Sequence, residues 1–233
     1  MKNNKLIFFA GLLCLTGFSW PFSFLFSHPN PEPLGTQVWM SKEEQLLESQ
    51  SDISPDVLKL ALTAYVHARR EGLDNKQLLT VIDFTKPSTD KRLWIFNLKT
   101  NQEVMNTWVT HGRNSGELYA NSFSNQPGSL KSSIGVFLTA EPFNGDHGLA
   151  LPLHGLEPGI NNNAYGRAIE FHGAQYVNYQ TIKTYGQIGR SWGCTAVSQS
   201  EITPLVDTIK DNTLVFAYYP DHYWLHHSAF LDG

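Results

Sequence analysis

Two short runs, Arg190-Ser191-Trp192-Gly193-Cys194 and, upstream, Phe171-His172-Gly173, hold the residue types from which acyl-transfer chemistry is built. A cysteine that attacks a carbonyl needs a base or cation to take its proton, and donors for the oxyanion that forms. His172 supplies the base. Gly193, directly before the cysteine, permits close backbone approach and offers its amide, with that of Cys194, to the oxyanion. The chain has two cysteines, Cys14 and Cys194. Cys14 lies in an apolar N-terminal run, so a processed chain keeps Cys194 alone, without an internal disulfide partner. By count alone such a thiol is equally a small buried hydrophobe. The neighbours favour a nucleophile, and they predict a thiol more acidic than the free value of about 8.5.

The paired runs resemble the YkuD-type L,D-transpeptidase signature, in which a histidine precedes a Ser/Thr-x-Gly-Cys motif. Eighteen residues separate His172 from Ser191, which suits that family. Gly155-Leu156-Glu157, Asn163-Ala164-Tyr165-Gly166-Arg167-Ala168-Ile169 and Arg190-Ser191 are similar to its murein L,D-transpeptidase catalytic-domain branch. Trp192 is a departure, because the commoner motif has histidine there; Thr195-Ala196-Val197 is another, where arginine or asparagine is frequent. The resemblance implies a cysteine-dependent L,D-transpeptidase acting on peptidoglycan tetrapeptide stems. Cys194 would form a thioester and release D-alanine, His172 would act as base and acid, and the Gly173 carbonyl would orient the imidazole. Gly193 would serve the oxyanion, while Ser191, Trp192 and His154 would line the substrate cleft. Arg190 or Arg167 would bind a substrate carboxylate, since guanidinium matches that group in a bidentate manner; a surface or packing ion pair is the alternative for each. Water as acceptor would give an L,D-carboxypeptidase, and an inactive wall-binding relative is a further alternative. A papain-type peptidase fits poorly, because there the cysteine precedes the histidine.

The elements that would position these groups show in the pattern. Ser54-Pro55-Asp56 starts a helix with a capping hydroxyl, an early proline and an acid at the positive dipole end. Val57, Leu60, Ala61, Ala64, Tyr65 and Ala68 form its apolar face. Gly72 stops it, and residues 75–79 suggest one more turn. Strands are expected over 79–84, 92–98, 103–109, 134–139, 168–171 and 213–218, from their branched and aromatic content. Residues 111–133, dense in Gly, Ser and Asn, form a long polar loop; its first residue, His111, ends a strand beside the expected cleft wall. Ser198-Gln199-Ser200-Glu201 reads as a capping box opening a helix through about Lys210. The expected fold is mainly β with flanking helices, an L,D-transpeptidase-like antiparallel β-sandwich over 78–220. A helical segment, 51–77, precedes it, and a tail, 221–233, follows; His222, His226 and His227 are given surface or packing roles there.

Lys2 and Lys5 before the apolar run Leu6–Leu15 have the form of a secretory signal. Residues 1–27 are therefore read as a signal peptide, cut after Ser19 or Ser27, or as an uncleaved membrane anchor. Lipid attachment at Cys14 is disfavoured by Leu13, where a small residue is needed. A proline-containing linker, 28–50, would follow. The expected location is the periplasm or cell envelope, or outside the cell. The formal charge of −4 and the lack of a basic block argue against nucleic-acid binding. No cofactor is expected. Asp146, His147 and His154 fit no metal-site spacing, so no metal is expected either.

Overall fold

The computed structural model describes residues 35–231 other than 50, 75, 146 and 147, and leaves the side chains of 42 and 46 undescribed. The expected signal or anchor (1–27), Cys14, the first part of the linker, and Asp146 and His147 lie outside the described residues. Among the described residues no helix is long and apolar enough to cross a membrane.

Pro55 opens helix α2 (Pro55–Arg70), with Asp56 in the first turn and His67, Arg69 and Arg70 in the last, each complementing the helix dipole. The Ser54 hydroxyl makes no capping bond. The start is set instead by Pro55 and by the Ser54 carbonyl, which accepts from Leu58 N at 2.9 Å. The second half of the expected linker is not extended. It forms helix α1 (Gln37–Glu48), capped by Thr36, whose hydroxyl accepts from Trp39 N at 3.2 Å. Past Pro33 the composition loses its prolines, and Trp39 stacks on Tyr65 of α2 with ring centroids 6.5 Å apart. Leu47 is fully buried.

Among the described residues nine strands follow: β1 (Leu78–Asp83), β2 (Leu93–Asn97), β3 (Gln102–Thr107), β4 (Gly135–Thr139), β5 (Phe143–Gly145), β6 (Gly148–Gly155), β7 (Glu170–Ala174), β8 (Thr195–Ser198) and β9 (Leu214–Tyr218). They hydrogen-bond in the order β3-β2-β1-β9-β4-β6-β7-β8, with β5 against β6. All pairings are antiparallel except β1–β9 and β7–β8. The fold is thus mainly β with flanking helices. Strand β6 joins its two parts: Leu153–Gly155 pair with β4, and Ala150–Pro152 pair with β7. A strand that pairs on different neighbours along its length is how sandwich-like sheets turn a corner.

Several elements differ from the sequence reading. Residues 78–79 start β1 rather than extending a helical turn. β5 and β6 lie where Gly145, Gly148, Pro152 and Gly155 break the strand pattern; pairing on both sides of β6 overrides that local signal. The residues after the cysteine run into β8, and helix α4 (Ile202–Ile209) starts only at Ile202. The capping box does not form: Glu201 Oε2 accepts from the Ser198 hydroxyl at 2.6 Å and from Thr107 Oγ1 instead. Helix α3 (Tyr179–Tyr185), capped by Asn178, was not foreseen. The C-terminal segment is no loose tail. Helix α5 (His222–His227) inserts Trp224 fully into the core.

Candidate active site

Side chains alternate along a strand, and that alternation sorts the site. In the parallel β7–β8 pair, Phe171 faces Thr195 and His172 faces Ala196. Phe171 and Val197 point into the main core. Ala174 and Ala196, on the opposite face, belong to a smaller apolar cluster with Val177 and Ile188. His172 shares the parity of Ala174. Cys194 shares that of Ala196 and stands one residue ahead of β8. Cys194 thus stands directly ahead of the strand that pairs with the strand of His172. His172 sits in the middle of β7 rather than at a strand end, because β7 runs on through Gly173 and Ala174. It is buried, and its Nδ1 lies 3.2 Å from the Gly173 carbonyl. A carbonyl only accepts, so this contact calls for a proton on Nδ1. A side chain at Gly173 would press on Gln199 Oε1 at 2.9 Å and Ile202 at 3.0 Å.

The backbone around Cys194 is held by hydroxyls. Its carbonyl accepts from Ser191 Oγ at 2.7 Å and Thr110 Oγ1 at 3.2 Å. The Gly193 carbonyl accepts from Ser132 Oγ at 3.0 Å, and that oxygen accepts from Gly112 N at 2.9 Å. Gly112 and Ser191 form a parallel bridge, with Arg113 N donating to Ser191 O at 2.8 Å. Residues 111–133, legible only as a polar loop, are thus the cradle of the cysteine turn. Thr110 and Ser132 were missed as positioning groups; a serine-rich loop whose Ser115, Ser132 and Ser133 are buried is the signal they leave. Gly193 has φ 131°, and a Cβ there would meet Lys131 O at 2.9 Å, so only glycine fits. Its amide does not face an open site, because it donates to Ser191 Oγ at 3.1 Å. Ser191 is buried and its hydroxyl serves the turn, not a substrate.

The thiol itself is less constrained. Cys194 is partly buried, and Sγ donates to Ala168 O at 3.1 Å. Ala168 adopts φ 53°, a left-handed conformation that costs a non-glycine residue on the order of 1 kcal/mol. Burial pushes the thiol up to about 11, with the Glu170 backbone and the Arg167 charge acting the other way. The resting thiol is therefore less acidic than free cysteine, opposite to the expectation from its neighbours: desolvation outweighs them.

Neither arginine assigned to a carboxylate is available as expected. Arg167 clamps the polar loop: Nη1 donates to Ser124 O and to Ser133 Oγ at 2.6 Å, and Nη2 to Lys131 O at 2.6 Å. Its Nε is buried without a partner. Arg190 pairs with Glu117 at 2.6 Å and donates to Gly116 O at 3.0 Å. His154, on β6, is exposed and stacks on Tyr165 with centroids 4.3 Å apart. Trp192 is 74% exposed and lines a cleft of about 480 Å³ with Tyr176, Tyr185, Arg113 and Arg190. His111 is fully buried; its Nδ1 lies 2.8 Å from Arg92 Nη2 and its Nε2 3.3 Å from Gly116 O. Burial and the Arg92 charge lower it to about 4. Among the described residues no group of three His, Cys, Asp or Glu side chains is placed to hold a metal.

A partly buried cysteine thus stands directly ahead of the strand that pairs with the strand of a buried histidine. Residues 49–218 match the L,D-transpeptidase catalytic domain, and the chain belongs to that family. The match takes in α2 as well as the sheet. No curated protein matches the chain. Among solved structures it is similar to an L,D-transpeptidase from Mycobacterium smegmatis (11% identity, 61% of this chain and 59% of that one, TM-score 0.38). It is also similar to one from Stackebrandtia nassauensis (12% identity, 78% of this chain and 91% of that one, TM-score 0.37). A third is an L,D-transpeptidase in complex with imipenem (11% identity, 61% and 59%, TM-score 0.39). The chain spans 59% of the length of the first and third of these.

Proposed function

We propose that this protein is a cysteine-dependent L,D-transpeptidase acting on peptidoglycan tetrapeptide stems. The observation that supports the reading is the pairing of β7, which carries His172, with β8, which begins directly after Cys194. Cys194 Sγ attacks the carbonyl between the meso-diamino residue and D-alanine as its proton passes to His172 Nε2. The tetrahedral intermediate collapses, the C–N bond breaks, and the imidazolium protonates the departing D-alanine amine. A thioester remains, and an amine from another stem takes the acyl group. Because burial raises the resting thiol to about 11, proton transfer accompanies attack; a standing thiolate–imidazolium pair is not required. Export to the cell envelope through the N-terminal basic–apolar run belongs to the same proposal.

The test is incubation of the chain with a disaccharide-tetrapeptide and mass spectrometry of the products. A 3→3 cross-linked dimer with release of D-alanine is expected, falling at least about 10³-fold in Cys194→Ala. Release of D-alanine without dimer makes the enzyme a carboxypeptidase. No product from wild type, or equal product from Cys194→Ala, refutes the reading.

A further inference from the structure

With Arg190 tied to Glu117 and Arg167 buried in the loop clamp, a cation without a partner stands beside the cysteine turn. Arg113 is exposed, and its guanidinium has no hydrogen-bond or ion-pair partner among the described residues. Its backbone is fixed: its amide donates to Ser191 O at 2.8 Å, and its carbonyl accepts from Arg190 Nη1 at 3.2 Å. Its side chain lines the cleft of about 480 Å³ whose walls include Trp192, Tyr176 and Tyr185. The cleft adjoins the nucleophile on two counts. Trp192 is two residues from Cys194, and the Arg113 amide is bonded to the carbonyl of Ser191, three residues from it. Tyr176 lies flat on Gly189, where a Cβ would meet its ring at 2.4 Å. Glu117 neutralises Arg190, so Arg113 leaves the cleft with a net positive charge.

We propose that Arg113 is a specificity-determining residue that binds the terminal carboxylate of the substrate peptide in the Trp192–Tyr176–Tyr185 cleft. The inference rests on the transpeptidase reading for the identity of the peptide, in which that carboxylate belongs to the leaving D-alanine. The guanidinium fork matches a carboxylate in a bidentate manner, and its backbone is held beside the cysteine turn. The enzyme is then selective for stems that end one residue beyond the attacked bond.

Two ligands decide it: an N-acetyl tetrapeptide stem ending in D-alanine, and the same peptide with a C-terminal amide. Binding is measured calorimetrically on the Cys194→Ala chain, so that it does not depend on turnover. The acid should bind about 10- to 100-fold more tightly than the amide, the range for a hydrogen-bonded charge pair. Adding Arg113→Gln should erase that preference while leaving amide binding unchanged, and Arg113→Lys should restore part of it. In the active enzyme the same substitution should raise KM for the acid with little change in kcat. The Arg113 side chain has no partner to lose, so an unchanged melting temperature should accompany each variant. Equal affinity for acid and amide overturns the proposal, as does a preference that survives Arg113→Gln. If the Arg113-dependent preference appears but wild type yields no product, this inference stands and the transpeptidase reading falls.

Discussion

Two buried polar clusters do different things with their hydrogen bonds. At Glu157 the side chain is what is fixed. Its carboxylate accepts from Val136 N at 2.6 Å, from Trp224 Nε1 at 3.0 Å and from the Ser228 hydroxyl. Asn161 completes the cluster by bridging Glu157 N to the carbonyls of Ile134 and Val136. At Cys194 the backbone is what is fixed. Hydroxyls of Ser191, Thr110 and Ser132 hold the carbonyls of residues 193 and 194, while Sγ donates to Ala168 O beside the Glu170 backbone. The first cluster locks a carboxyl group in place and ties the C-terminal helix to β4. The second holds its chain rigidly and leaves the reactive atom able to exchange its proton. A catalytic turn needs that division, because position must be permanent and protonation must not.

The contrast breaks most easily at Trp224. Trp224→Ala leaves a large cavity and removes one donor from a buried carboxylate, so it should cost about 3–5 kcal/mol in urea unfolding. Alkylation of Cys194 in the folded protein should proceed at the wild-type rate. A cost under about 1 kcal/mol would mean that α5 is not part of the core. A changed alkylation rate would mean that the two clusters are not independent.

Beneath the cysteine turn lies a third buried group, and it makes this side of the fold sensitive to acid. Arg92 is fully buried and points Nη2 at His111 Nδ1, so His111 must stay neutral with its proton on Nε2. Its folded value, about 4, lies below the ordinary 6.5. Between those values the unfolded chain binds the proton and the folded chain does not, so stability falls as pH drops from above 6.5 towards 4. The loss should reach up to about 3 kcal/mol. Unfolding curves at several pH values should show this slope in wild type and a flatter one in His111→Gln, which can still accept from Arg92. An unchanged slope would remove His111 from the account.

How far the sequence was legible follows the same division between local and non-local causes. Pro55, Gly72 and the branched runs of β1, β2 and β9 act within a few residues, and they could be read directly. The His172 and Cys194 runs stood out because residue type alone carries their chemistry. β6 was not legible, since Pro152 and its glycines argue against a strand and only pairing with β4 and β7 makes one. Trp39 and Leu47 gave little sign of a helix until α2 was present to receive them. For Arg167 and Arg190 the sequence left carboxylate binding and a structural pairing both open, for a related reason. An arginine advertises its charge in sequence but not its partner, and Glu117 and the 124–133 carbonyls are reached only in the fold. Arg113 passed unnoticed because having no partner leaves no mark in a sequence.

The finest test of the contrast is Ser132. Its hydroxyl accepts from Gly112 N and donates to Gly193 O, and its amide donates to Ser115 Oγ at 2.9 Å. It touches neither Sγ nor the imidazole in any of these bonds, so its part is positioning. Ser132→Ala strands one buried donor and one buried acceptor, which should cost about 1–2 kcal/mol of stability. A merely structural serine would stop there. If the cradle sets the attack geometry, kcat should fall about tenfold with KM little changed, because a small misplacement of the nucleophile is felt at the transition state more than in binding. The pH profile of Cys194 alkylation should shift as well, since Gly193 and the turn that carries the thiol would relax together. A variant that melts lower but keeps wild-type kcat and the same alkylation profile would show that the hydroxyls around Cys194 only hold the fold, as the donors around Glu157 do, and the distinction between the two clusters would be lost.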